Sequence, residues 1–121
     1  MRGRFFMAFA GFSGACAVAL GAYAAHGLEG HAQELADKAS RYQMYHALAL
    51  LAVAVLQEKS GRLMAVSGFF FCLGSLLFPG ALYAMALFDL PWAGLAPFGG
   101  TAFILGWLCL GFSALRRHSR V

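Results

Sequence analysis

Four long stretches without a charged side chain constrain this chain more than any other feature. They cover residues 5–28, 42–57, 63–88 and 90–115 and are 24, 16, 26 and 26 residues long. About 20 apolar residues in a helix, each rising about 1.5 Å, cross the roughly 30 Å hydrocarbon core of a bilayer. The first, third and fourth stretches are long enough on this measure alone. The pattern therefore predicts an integral membrane protein.

Composition and charge support the same interpretation. The chain is 61% hydrophobic and 12% charged, whereas soluble domains average about 45–50% and about 25%. Its net charge of +4 comes from basic residues at the ends of the apolar stretches, where they meet lipid headgroups rather than nucleic acid. The three cysteines, Cys16, Cys72 and Cys109, show neither a disulfide framework nor a zinc spacing. We expect the lipid bilayer as a partner, no nucleic acid, no metal and no cofactor.

Four helices follow from the apolar stretches, at about 5–25, 39–56, 64–87 and 95–115, within a single transmembrane domain covering 1–121. The second is the shortest, and a start at Ala39 requires Arg41 to extend its charge to the membrane interface. The polar segment that begins at His31 is expected to be helical and to continue into it, since no proline or glycine separates the two. The expected fold is an all-α integral membrane protein, a four-transmembrane-helix bundle.

Basic residues in short loops indicate the orientation, because they stay preferentially on the cytoplasmic side. With four spans, seven Lys and Arg residues lie inside and two, Lys38 and Arg41, lie outside, so both termini are expected to be cytoplasmic. A three-span alternative leaves the second stretch in the cytoplasm, exports the N-terminus and gives the same count. We favour four spans because the alternative exports Arg2 and Arg4 and leaves residues 46–56 without a membrane.

Glycine and proline positions indicate where helices pack closely or bend. Small residues recur along one face of the first helix every three or four positions, which lets another helix approach. Pro79 cannot donate a backbone hydrogen bond to Ser75, so a kink is expected there. The residues assigned to close packing or hinges are Gly21, Pro79, Gly80, Pro97, Gly99 and Gly100, with Pro97 in the first turn of the last helix.

Polar side chains concentrate in the half of the membrane that this orientation places outside. Tyr42, Gln43 and His46 share one face of the second helix. An ionisable side chain inside a membrane is a functional-site hypothesis by default. The candidate polar cluster or ligand site therefore comprises His26, Tyr42, Gln43, His46 and Tyr83. The structural interpretation, which we favour, is that a neutral imidazole bonds a polar group of a neighbouring helix.

Four strings stand in order along the chain: GAYAAHGL at 21–28, YQMYHALAL at 42–50, FPGALY at 78–83 and APFGG at 96–100. Together they resemble the YgdD/YwdK-like family of small bacterial inner-membrane proteins, a family of unknown function with relatives in animals. The resemblance covers essentially the whole chain and implies four membrane helices in the cell's inner membrane. The family supplies no established reaction, substrate or cofactor, so function stays open. It carries over to His26, Gly27, Tyr42, Gln43, His46, Gly80, Tyr83, Pro97, Gly99 and Gly100. Where the family more often has serines around the third-helix glycine, this chain has Pro79 and Ala81, which argues against a hydroxyl-lined path there.

Three functions stay open at this point. The first is a non-enzymatic membrane component whose polar cluster packs the bundle or meets a lipid, another copy of the chain or another membrane protein. The second is a small-solute carrier or channel with a cavity around His26, His46 and Tyr83 and a hinge at Pro79. The third is metal or haem binding by His26 and His46. No enzyme is expected, because the uncharged stretches hold no carboxylate and the sequence shows no nucleophile with an obvious base, no phosphate-binding loop and no metalloprotease motif.

Overall fold

The computed structural model describes residues 2–119, without the side chains of residues 58–60 and 117–119. The described chain is all helical. Its elements are α1 (Arg2–Gly27), α2 (Gly30–Ser60), α3 (Arg62–Phe88), a 3₁₀ turn (Ala93–Leu95) and α4 (Ala96–Ser119). The all-α class is thus confirmed, and so is the continuation of the polar segment into the second helix, since α2 is helical from Gly30 onward.

The connections between the first three helices are very short. Only Leu28 and Glu29 separate α1 from α2, and Gly61 alone separates α2 from α3. Gly61 has a φ of 78°, which glycine adopts without the steric cost that a Cβ would add. Connections this short make consecutive helices antiparallel neighbours.

The helices pack in their order along the chain. α1 lies along α2, α2 along α3 and α3 along α4, whereas α1 meets α3, and α2 meets α4, at few positions. Within the described residues no Cα of α1 comes within 8 Å of a Cα of α4. A closed bundle would make the first and last helices neighbours, so the arrangement is an open row of four helices. Lipid solvates the apolar edges of such a row, and no hydrophobic force closes it.

Three of these helices are long and apolar enough to cross a bilayer. They are Arg2–Gly27, Arg62–Phe88 and Ala93–Arg116. α2 is not among them because charged residues occupy its first third and polar residues such as Gln43 and His46 follow. Length and composition therefore support three spans directly, and the crossing of α2 needs a separate argument.

Two apolar clusters form the core, and a polar layer lies between them. The larger is built on Phe6, Leu50, Val53 and Phe71 with their neighbours. The smaller lies near the α1–α2 connection and is built on Ala24, Ala36, Ala39, Leu82 and Tyr83. Along each of the first three helices, the buried polar residues Ser13, Gln43, His46 and Ser75 fall between the two clusters. This layer is where the candidate site lies.

Candidate functional site

His46 is the most constrained polar side chain of the layer, with 6% of its surface exposed. Its Nδ1 lies 2.6 Å from the main-chain oxygen of Tyr42, and its Nε2 lies 3.0 Å from Nε1 of Trp107. A carbonyl only accepts and an indole N–H only donates. Nδ1 therefore donates to Tyr42 and Nε2 accepts from Trp107, which requires the neutral ring. Both ring nitrogens are used within the chain.

Aromatic rings fix the plane of this imidazole. The His46 ring stacks on Phe103, with centroids 3.5 Å apart and an angle of 6° between the planes. Phe71 lies at 5.6 Å and Trp107 at 5.8 Å, both tilted against it. Since Phe71 belongs to α3 and the other two rings to α4, His46 ties α2 to both later helices.

Gln43 ties α2 to α1 and, a second time, to α3. Tyr83 Oη donates to Gln43 Oε1 at 2.7 Å, and Gln43 Nε2 donates to Ser13 Oγ at 3.2 Å. All three side chains are buried. The result is a hydrogen-bonded chain from α3 through α2 to α1.

The structure brings together some of the predicted site residues and separates others. Gln43 and Tyr83 are directly bonded. Tyr42 gives His46 only its main-chain carbonyl, and its own ring stacks on Phe78 at 5.0 Å. His26 is exposed at the end of α1 and, in the described part of the chain, has no hydrogen bond or ring contact with the other four.

This separation bears on the two alternative functions. His46 bonds Trp107 whereas Tyr83 bonds Gln43, so the structure does not gather His26, His46 and Tyr83 around one cavity. Over the residues that the structure describes, no group of three or more His, Cys, Asp and Glu side chains could hold a metal ion. The arrangement of these side chains therefore supports neither the carrier hypothesis nor the metal-binding hypothesis.

The predicted packing positions also differ from one another. Gly99 lies directly against the backbone of Phe78, and a Cβ on Gly21 would lie 2.5 Å from Ser40 Oγ, which donates to the Ala17 carbonyl. At Gly80 and Gly100 an added Cβ would meet no atom of the described residues within 4 Å, so neither has the close neighbour expected for a packing glycine.

The two prolines occupy different kinds of position. α3 continues as a helix through Pro79, and the kink stays a prediction. Pro97 is the second residue of α4, and its carbonyl accepts a bond from Thr101 Oγ1 at 2.8 Å.

Two residues of the site, Ser13 and Trp107, were not predicted from the sequence. Each stands in an apolar stretch without a polar neighbour one turn away, so nothing in the local pattern distinguishes it from a residue facing lipid. The only available signal was chemical: Trp N–H and Ser O–H need partners when buried.

A family model described as "Protein of unknown function (DUF423)" matches residues 20–100. The chain belongs to the DUF423 family. The match to the DUF423 model includes His26, Tyr42, Gln43, His46 and Tyr83, and leaves out Ser13 and Trp107. In this DUF423 protein, the bond from Gln43 to α1 and the bond from His46 to α4 therefore each have one partner outside the matched range.

Individual relatives of this DUF423 protein agree with that assignment. The chain is 39% identical over 122 residues to the "UPF0382 inner membrane protein YgdD" of Escherichia coli K12, covering 96% of this chain and 93% of the relative. It is 36% identical over 121 residues to a "UPF0382 membrane protein" of Haemophilus influenzae, covering 94% and 96%. No solved structure matches it. The predicted family and the location in the inner membrane are confirmed: this is a multi-pass inner-membrane protein.

Proposed function

We propose that this DUF423 protein is a non-enzymatic component of the inner membrane, with four spans and both termini in the cytoplasm. In this proposal the buried polar layer locks the helices against each other. The exposed flanks of the row meet lipid and a protein partner within the bilayer, which is either a second copy of the chain or another membrane protein. Nucleic acid has no role.

The state of His46 is the observation that carries the proposal. A histidine that bound a ligand would direct at least one ring nitrogen toward it. Here Nδ1 bonds Tyr42 and Nε2 bonds Trp107, and aromatic rings cover the ring plane. The side chain is therefore suited to holding α2 and α4 together.

The position of α2 supports a fourth span. It lies between α1 and α3, both of which are apolar enough to cross, and connections of two residues and one residue join it to them. Its 31 residues form a helix of about 46 Å, longer than the hydrocarbon core. Gln43 and His46 are 8% and 6% exposed, so neighbouring helices shield their polar groups from lipid.

The open flanks support a partner inside the bilayer. α1 and α4 have no contact with each other in the described chain and present large apolar side chains, among them Phe12 at 79% and Ile104 at 61% exposure. Lipid chains solvate such side chains, and helix faces of this kind also associate by packing.

Replacing His46 by leucine tests the structural role. The substitution leaves the Trp107 N–H unpaired, and it should lower the free energy of unfolding by about 1–3 kcal/mol. Trp107→Phe, which removes only one donor, should lower it by about 0.5–1.5 kcal/mol. Thermal unfolding in mild detergent, followed by circular dichroism, measures both.

His26→Leu is the matched control, because His26 is exposed and makes no bond to the cluster. It should unfold at the wild-type temperature. If His46→Leu also unfolds at that temperature and is recovered in wild-type yield, the imidazole does not hold the helices and the proposal fails.

A further inference from the structure

A groove of about 300 Å³ opens between α1 and α3, beside Gln43 of α2. Its lining residues are Phe9, Phe12, Ser13, Gln43, Ser75 and Leu76. Three of them are apolar and form the walls, and the other three are polar and buried. The groove exists because α1 and α3 meet at only a few positions. His46 takes no part in it.

Ser75 is the polar residue of the groove whose hydroxyl lacks a hydrogen-bond partner in the described chain. The residue is 7% exposed, and its Oγ has no partner among the described residues. A buried hydroxyl left unpaired costs about 1–3 kcal/mol. The main-chain carbonyl of Ser75 also lacks its helical donor, because Pro79 four residues later has no N–H. By contrast, Ser67 on the same helix donates to the Gly106 carbonyl at 2.7 Å.

The other two polar residues of the groove also have capacity left. Gln43 Nε2 has two hydrogens and uses one on Ser13 Oγ. The hydroxyl of Ser13 accepts from Gln43 and has no acceptor of its own among the described residues. The groove thus presents donors from three side chains and contains no charged group.

Depth restricts what can reach these donors. Ser13 is the twelfth of 26 residues in α1, and Ser75 is the fourteenth of 27 in α3. Both lie near the midpoint of a spanning helix, about 15 Å from either headgroup region. Phospholipid headgroups and free ions do not lie at this depth. A suitable ligand enters from the lipid, is uncharged and carries a hydrogen-bond acceptor.

We propose that this groove binds an uncharged, lipid-soluble compound with ring carbonyls, of the quinone class. Phe9 and Phe12 face the flat ring, and a carbonyl oxygen accepts from Ser75 Oγ and Gln43 Nε2. The groove volume is at the lower end of the range for small-molecule sites and suits a single ring. An acyl chain would fill the same space but would leave Ser75 unpaired.

Fluorescence quenching by a decyl-substituted benzoquinone tests this site. Phe12→Trp places an indole on the groove wall, where the native ring is largely exposed and leaves room. The variant is reconstituted in phosphatidylcholine nanodiscs, and wild-type quenching, from Trp92 and Trp107, is subtracted. We expect saturable quenching of the added indole. Adding Ser75→Ala should weaken the apparent affinity at least about threefold, as the loss of one hydrogen bond predicts.

Ser113→Ala is the matched control, since Ser113 is also buried and has no hydrogen-bond partner among the described residues, but lies on α4, away from the groove. Added to Phe12→Trp, it should leave quenching unchanged. Decylbenzene, which has no carbonyl, should not compete with the quinone.

Three results would overturn the site: quenching that rises linearly with quinone, saturable quenching that Ser75→Ala leaves intact, and equal competition by decylbenzene. The last would show a groove that accepts only apolar chains. None of these depends on the stability of His46 variants, so this inference and the proposed function fail separately.

Discussion

Gln43 has a different helix on each side of its side-chain amide. Its oxygen accepts from Tyr83 of α3, and its nitrogen donates to Ser13 of α1. Hydrocarbon supplies no replacement donor or acceptor, so the loss of one partner leaves the other unpaired. The side-chain amide of Gln43 therefore links three helices more specifically than an apolar side chain could.

A double-mutant cycle on Gln43 and Tyr83 measures this link. Gln43→Leu leaves the Tyr83 hydroxyl and Ser13 unpaired and should lower the free energy of unfolding by about 1–3 kcal/mol, whereas Tyr83→Phe should lower it by about 0.5–1.5 kcal/mol. The double variant removes both ends of the bond. It should therefore cost less than the sum of the two single changes. Strict additivity in thermal unfolding would show that the two side chains do not interact.

At the scale of elements, the α3–α4 interface depends on glycines that let side chains and backbone approach. Gly99 faces the backbone of Phe78, and Gly74 leaves room for Phe103, the ring on which His46 stacks. The position of α4 relative to α3 is thereby coupled to the polar layer. A side chain at Gly99 would push the two helices apart.

Neighbouring glycines at 99 and 100 provide a matched pair of substitutions. Gly99→Ala should lower the free energy of unfolding by about 1–3 kcal/mol, because the new Cβ meets backbone that cannot move aside. The new Cβ of Gly100→Ala meets no atom within 4 Å in the described part of the chain, so this change should be neutral or stabilising by up to about 1 kcal/mol. Thermal unfolding in detergent compares them. Equal effects of the two changes would contradict the close contact at Gly99.

Charge-free stretches mark α1, α3 and α4, and the absence of proline and glycine between the polar segment and the second apolar stretch predicts that α2 is one continuous helix. The joining of Gln43 with Tyr83 in one cluster was also predicted. The partners across helix interfaces could not be. Periodicity shows which residues of α2 share a face, but it does not say that Ser13 and Trp107 lie opposite. For the same reason His26 was grouped with His46, although the His26 side chain is exposed in the last turn of α1.

For the whole molecule, the open row gives the polar side chains of α2 protein neighbours on both sides. As an inner helix it contacts both α1 and α3 along its length and meets α4 at the site. Its polar side chains therefore have protein partners, while α1 and α4 at the edges keep large apolar side chains for lipid. A four-helix bundle was predicted, and sequence gives the number of helices but not whether the first and last meet.

The crossing of α2 is the central claim, and labelling of single cysteines in intact spheroplasts tests it most directly. Cys16, Cys72 and Cys109 are replaced by alanine, and Glu29→Cys is treated with a membrane-impermeant maleimide. Trp92→Cys is outside in both the four-span and three-span topologies, and Arg62→Cys is inside in both. We expect Glu29→Cys to react as Trp92→Cys does, with Arg62→Cys protected until lysis. Protection of Glu29→Cys while Trp92→Cys reacts would place the α1–α2 connection in the cytoplasm and contradict the four-span account.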